Sequence, residues 1–188
     1  MSESDKLRYP IGQFEFTPTK SASQRRRLIE EYERSIDRLD EAAAGLTDDQ
    51  IDTVYRPGGW TVRQVIHHLP ESHMNAYVRL KLALTEELHR SVVADEAAWA
   101  DLADSREGPI GISLALFRVL QQRWAMALRA MSDVDSSRKV WHPAWGTVPL
   151  DYLVQVYAWH ARHHTAHITT LRDRMGWWST GDRSTTTA

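Results

Sequence analysis

The chain has 188 residues, 42% of them hydrophobic, and a formal charge of −2 from 23 Lys and Arg against 25 Asp and Glu. This length predicts one domain with a core of ordinary size, and the charge balance offers no basic surface for nucleic acid or an anionic membrane. With no Cys, disulfides, thiolate nucleophiles, Cys-ligated zinc and iron–sulfur clusters are excluded.

The N-terminal Met1-Ser2-Glu3-Ser4-Asp5-Lys6 has no apolar stretch of the secretory type, and no run approaches the roughly 18 apolar residues that span a bilayer. The expected location is the cytoplasm. A first helix is predicted from Ser21 to Ala44, its stripe Leu28, Ile29, Tyr32, Ile36, Leu39 and Ala43, with Gly45 as its stop. Thr47 and Gln50 have capping-box spacing before a short helical turn. Thr61 and Gln64 repeat that spacing behind Gly58-Gly59-Trp60 and open a second helix, with Val62, Val65, Ile66, Leu69, Ala76, Tyr77, Leu80 and Leu84 inward. Pro70 is expected to bend it.

A long connection over residues 89–110 should hold a short helix near Asp95–Leu102. The third helix is predicted over Ile112–Met131, with Leu114, Phe117, Leu120, Trp124 and Leu128 on one face. Residues 132–148 read as a loop, and the fourth helix runs from Pro149 to Met175. No set of strands is evident. The expectation is an all-α four-helix bundle with a long crossover connection, a single domain over 1–178 and a flexible tail over 179–188.

Nine His are present, and the fourth helix concentrates them. Its inward stripe reads Leu150, Leu153, Tyr157, His160, His164, Ile168, Leu171, Met175, with His167 close to it and His163 to one side. Burying stacked imidazoles is costly, because each brings polar nitrogens and any charge repels the others. A metal ion that binds neutral rings removes that cost, and the i, i+4 pair His160/His164 can reach one ion. A third ligand must come from another helix. The second offers His67, His68 and His73, and periodicity alone favours His73.

Gly58-Gly59-Trp60-Thr61-Val62-Arg63-Gln64-Val65-Ile66-His67-His68-Leu69 and Ser72-His73-Met74-Asn75-Ala76-Tyr77 resemble the YfiT branch of the DinB-like family. So do Tyr9-Pro10-Ile11-Gly12 and Trp159-His160-Ala161-Arg162-His163-His164-Thr165-Ala166-His167-Ile168. The resemblance spans Tyr9 to Trp178. It implies a four-helix bundle with one divalent ion held by three histidines, matched here by His68, His160 and His164 in preference to His73. The family has Ala-Asp after His-His-Leu where this chain has Pro70-Glu71, which puts a proline within one turn of His68. Glu71 is a candidate acceptor or proton carrier beside the metal, although a solvated carboxylate is the favoured reading.

Three neutral ligands leave a divalent ion an open position for a small-molecule substrate, the arrangement of a catalytic site. That position can activate water, giving a metal-dependent hydrolase, or ionise a low-molecular-weight thiol, giving a thiol S-transferase. The resemblance implies either, with bacillithiol as the kind of thiol, and makes a homodimer an expectation. A non-catalytic metal-binding stress-response module is the reading from another class, and closure of the site by His73 would favour it. Zinc suits an all-imidazole redox-free site best and nickel next. Trp60, Trp124, Trp141, Trp145 and Trp159 read first as core and second as pocket lining. Arg25-Arg26-Arg27 reads as a solvated helix start, and Gly58-Gly59 as a turn.

Overall fold

The computed structural model describes residues 3–19, 21–87, 89–90 and 93–178, so the predicted tail over 179–188 lies outside them. A short α1 (Glu3–Arg8) leads into an extended arm and then α2 (Ala22–Glu33) and α3 (Ser35–Ala43). The expected first helix is thus two helices. At the joint, Ser35 donates its hydroxyl to the Tyr32 carbonyl at 2.6 Å, a local bond that competes with the helical ladder. Gly45, at φ +71°, stops α3 in the left-handed region.

Both capping boxes form. Thr47 opens α4 (Asp48–Ile51) and Thr61 opens α5 (Val62–Thr85). The second of these runs as one element through Pro70. Two short helices follow, α6 (Glu96–Ala100) and α7 (Ala103–Glu107), the first close to its expected place and the second unforeseen. Then come α8 (Ile110–Ala130), α9 (Asp133–Ser137) and the long α10 (Leu150–Met175), with Pro149 as its N-cap.

The predicted loop over 132–148 is a correction. It holds α9 and a hairpin, β2 (Lys139–His142) and β3 (Gly146–Pro149), which the two-residue β1 (His89–Arg90) extends in parallel to an order β1-β2-β3. Register pairs Val140 with Val148 and Trp141 with Thr147, and Gly146 supplies the positive φ at the turn. Four-residue strands alternate too briefly to announce themselves, but Val140 and Val148 are buried against the bundle.

The bundle is built from α2–α3, α5, α8 and α10. The first segment and α5 each pack on both α8 and α10, so the ring of neighbours runs α2–α3, α8, α5, α10. Neighbours α5 and α8 run parallel, Arg63 reaching the Gly108 carbonyl, His67 meeting Ser113 and the His73 carbonyl accepting from Trp124. The chain must therefore return along the bundle between them, which accounts for the long connection expected there. Most of the predicted stripes are buried, while Met175, expected inward, is 52% exposed. The core falls into two apolar clusters. One joins Tyr32, Leu80, Trp124 and Leu153 with the hairpin valines; the other joins Leu39, Val65, Phe117 and Ile168. Between them every long segment turns polar at one level, with Ser35 on α3, His73 on α5, Gln121 on α8 and His160 on α10. Gln121 donates to Ser35 Oγ at 2.9 Å.

Candidate metal centre

The histidines occupy this polar level. From α5 comes His68 and from α10, one turn apart, come His160 and His164. One ring nitrogen of each lies within 4.8 Å of one from each of the others. Nε2 of His68 faces Nε2 of His160 at 3.2 Å. Two ligands on a tetrahedral zinc with bonds of about 2.05 Å stand about 3.3 Å apart, so this pair is already at ligand separation. His68 and His164 are 3% and 8% exposed, and Nδ1 of His164 is buried without a hydrogen-bond partner. Buried nitrogens that no protein group satisfies, all imidazole in type, fit a divalent ion of the zinc or nickel kind.

Electrostatics keeps these rings neutral. Burial, with repulsion from His167, pushes His68 down to about 4. His160 and His164 lie well below the ordinary imidazole value, first through burial and then through the histidines that face them. A neutral imidazole has the lone pair that a metal requires.

His73, favoured by the stripe, is brought to the centre but not into the cluster. Fully buried, it stands behind His160, with Nε2 3.4 Å from Nδ1 of His160 and Nδ1 3.0 Å from the Tyr32 hydroxyl. With Nε2 of His160 bare, its proton sits on Nδ1 and donates to His73, whose own proton then donates to Tyr32. His73 is itself held down at about 3 by burial and by His68, and its carbonyl accepts the indole N–H of Trp124 at 3.1 Å. Tyr32 was visible in the sequence only as a stripe residue. A tyrosine in an apolar stripe needs a hydroxyl partner, and that was the signal.

The other candidates separate clearly. His67 is turned to the flank, with Nδ1 2.7 Å from Ser113 Oγ and Nε2 3.1 Å from the Gly108 carbonyl. Gly108 fits there only without a side chain, because a Cβ would stand 2.3 Å from the Asp104 carbonyl. Glu71 is half-buried beside Ser105 and Asp104; burial and then the Asp104 charge raise its carboxyl. It faces α7, which matches neither the metal-side role nor a freely solvated carboxylate. Trp60 lies against His68 and His164, with centroids at 4.7 and 6.1 Å. Trp159 stacks on His163 and Trp145 on His142, whereas Trp124 is core. Arg25 pairs with Asp133 at 2.7 Å.

A cavity of about 350 Å³ opens against His164, with Trp60, Tyr9 and Tyr55 among its walls. One side is formed by the N-terminal arm, which sequence analysis did not connect to the site. His167 bonds the Arg8 carbonyl at 3.0 Å across 159 positions of chain and stacks on Tyr55 at 3.9 Å. No helix among the described residues is long and apolar enough to cross a membrane.

Comparison with known proteins agrees with the fold. Residues 31–168 match the DinB superfamily model. YfiT of Bacillus subtilis (strain 168) is 44% identical over 91% of this chain and 97% of its own length. A protein of Oceanobacillus iheyensis is 46% identical over 90% of this chain and 98% of its own, and one of Bacillus mycoides is 44% identical over 91% and 98%. All three carry the provisional name of metal-dependent hydrolase. The solved structure of Bacillus subtilis YfiT, described as a probable metal-dependent hydrolase with an unusual four-helix bundle topology, superposes with a TM-score of 0.89, covering 93% of this chain and 99% of that one. The four-helix bundle agrees with these matches, and this chain belongs to the DinB superfamily.

Proposed function

We propose that this protein is a metal-dependent hydrolase that holds one divalent ion, zinc first and nickel second, on His68, His160 and His164. The observation that carries the reading is the convergence of three neutral imidazoles, His68 and His160 at ligand separation and His164 lining a cavity. When bound, such an ion supplies Lewis acidity at an open coordination position. The surrounding residues set the conditions for that chemistry. His73, backed by Tyr32, fixes the ring of His160 so that Nε2 faces the centre. Trp60 covers His68 and His164 from one side and limits water there. The cavity gives a small substrate access from His164 outward.

A structural or stress-response metal module needs a closed site, normally four protein ligands. His73 would be the natural fourth, yet its nitrogens are directed at His160 and Tyr32. Among the described residues no further His, Asp or Glu joins the cluster. A low-molecular-weight thiol S-transferase is the second reading. It is favoured by the absence of Cys from the chain, which leaves the open position to a thiol from outside.

The deciding experiment follows products by mass when metal-loaded protein meets a panel of esters and amides, and separately a bimane-type electrophile with cysteine, glutathione or bacillithiol. Hydrolysis without thiol, lost in His164→Ala, is the expected result. Adducts that require both metal and thiol, without hydrolysis, would replace it by the thiol transferase. Silence in both arms with metal in place would leave the non-catalytic module.

A further inference from the structure

Two arginines at the cavity beside His164 are the strongest feature that the metal centre does not use. Arg8 comes from the end of α1 and Arg56 from the turn before α5, and both line the cavity. Each guanidinium lies over the tyrosine next to it, Arg8 at 5.4 Å from the Tyr9 ring centre and Arg56 at 5.3 Å from that of Tyr55. Each tyrosine in turn rests on a histidine of α10 that the metal cluster leaves free. Tyr9 leans on His163 at 5.8 Å, and Tyr55 stacks on His167 at 3.9 Å. Arg56 is further held by Nε to the Tyr55 hydroxyl and Nη1 to the Pro57 carbonyl, both at 3.1 Å. The bond from His167 to the Arg8 carbonyl ties the arm in place. The Arg56 side chain is thus braced before any ligand arrives, while Arg8 has its backbone anchored and its exposed guanidinium held over Tyr9.

No carboxylate lines this cavity, and neither Arg8 nor Arg56 pairs with one among the described residues. Two positive charges close to a cationic metal site repel one another and disfavour a cationic ligand. Polar capacity outside the metal cluster is unused as well, since Nδ1 of His163 and of His167 are buried without hydrogen-bond partners. The aromatic surfaces of Tyr9, Tyr55 and Trp60 suit a flat apolar body.

We propose that this cavity is a binding pocket for a small aromatic or otherwise flat organic anion, whose acidic group is held by Arg8 and Arg56 while its body lies among Tyr9, Tyr55 and Trp60. A guanidinium fork donates two parallel N–H bonds to a carboxylate, which gives orientation as well as attraction. An anion held in this way places its far end toward His164. As a substrate assignment the inference rests on the proposed metal-dependent activity; as a binding site it stands alone.

The probes are benzoate and its neutral isostere benzamide, titrated calorimetrically into metal-loaded protein at low ionic strength, with metal content measured on the same samples. Benzoate is expected to bind at least about tenfold more tightly than benzamide, given the strength of charge-assisted hydrogen bonds. The double variant Arg8→Gln/Arg56→Gln should lose about tenfold in benzoate affinity, keep its benzamide affinity and keep one metal per chain. The variant leaves the Arg8 carbonyl, and hence the anchor of His167, in place. Equal affinity for the two probes, or unchanged benzoate binding in the double variant, would overturn the pocket. One metal per chain with arginine-independent binding sinks the pocket and spares the metal centre. Arginine-dependent binding to protein that takes up no metal does the reverse.

Discussion

On the flank of α5, His67 gives both ring nitrogens to protein partners, the Ser113 hydroxyl and the Gly108 carbonyl; one residue later, His68 turns Nε2 into the bundle, 3.2 Å from that of His160. Burial does not distinguish them, at 7% and 3% exposure. What differs is who satisfies the nitrogens. A histidine whose hydrogen bonds close within the protein is a structural cross-link, here between α5 and the α7–α8 junction. Histidines whose nitrogens meet only other histidines are held at a cost that a metal ion removes. The pair also shows why burial and residue type alone are poor guides to a ligand.

The largest effect should come from cutting the interior side of this comparison. His160→Ala or His164→Ala is expected to reduce metal from one per chain to a trace by elemental analysis, whereas His67→Ala keeps one per chain. Equal metal in all three variants would erase the distinction.

Acid should act on the interior side next. In the folded, metal-free chain His68 is held near 4 and His73 near 3, mainly by burial, while the unfolded chain protonates near 6.5. Between those values the unfolded state binds more protons than the folded one, so stability rises with pH and is lost as pH falls from 6.5 toward 4. For His68 alone the loss is on the order of 3 kcal/mol. Urea midpoints measured from pH 7.5 to 4.5 should fall steadily, and a flat profile would contradict buried neutral rings.

Removing the support behind the centre gives a smaller change. His73→Ala should weaken metal binding by about 10- to 100-fold without abolishing it, and Tyr32→Phe by less, both read by competition with a chelating indicator. A drop in His73→Ala as complete as that in His164→Ala would make His73 a ligand. The smallest effect belongs to the flank. His67→Ala should cost about 1–3 kcal/mol in urea unfolding, by leaving the Ser113 and Gly108 groups without a partner, and leave metal affinity unchanged.

Much of this was legible in the sequence, for reasons that differ by element. Capping boxes at Thr47 and Thr61 are local chemistry, and both form. The stripes of α5, α8 and α10 announced the bundle because 3.6-residue periodicity persists over 20 or more residues. The His160/His164 pair is set by one helix, so spacing was enough. The third ligand depends on how α5 is rotated against α10, which periodicity could not settle across Pro70; it favoured His73, and the family resemblance pointed to His68. The break at Ser35 and the hairpin at Lys139–Pro149 escaped because each hangs on a few residues and on partners distant in sequence. The arm's approach to His167 is a contact across 159 positions, for which no local pattern exists.

Three imidazoles sharing one ion define the proposed centre. X-ray absorption at the metal edge of zinc-loaded protein measures this directly. It should show three imidazole nitrogens at about 2.0–2.1 Å with the remaining coordination completed from outside the protein. A shell with fewer than three imidazoles, or one closed by a fourth protein ligand, would contradict it.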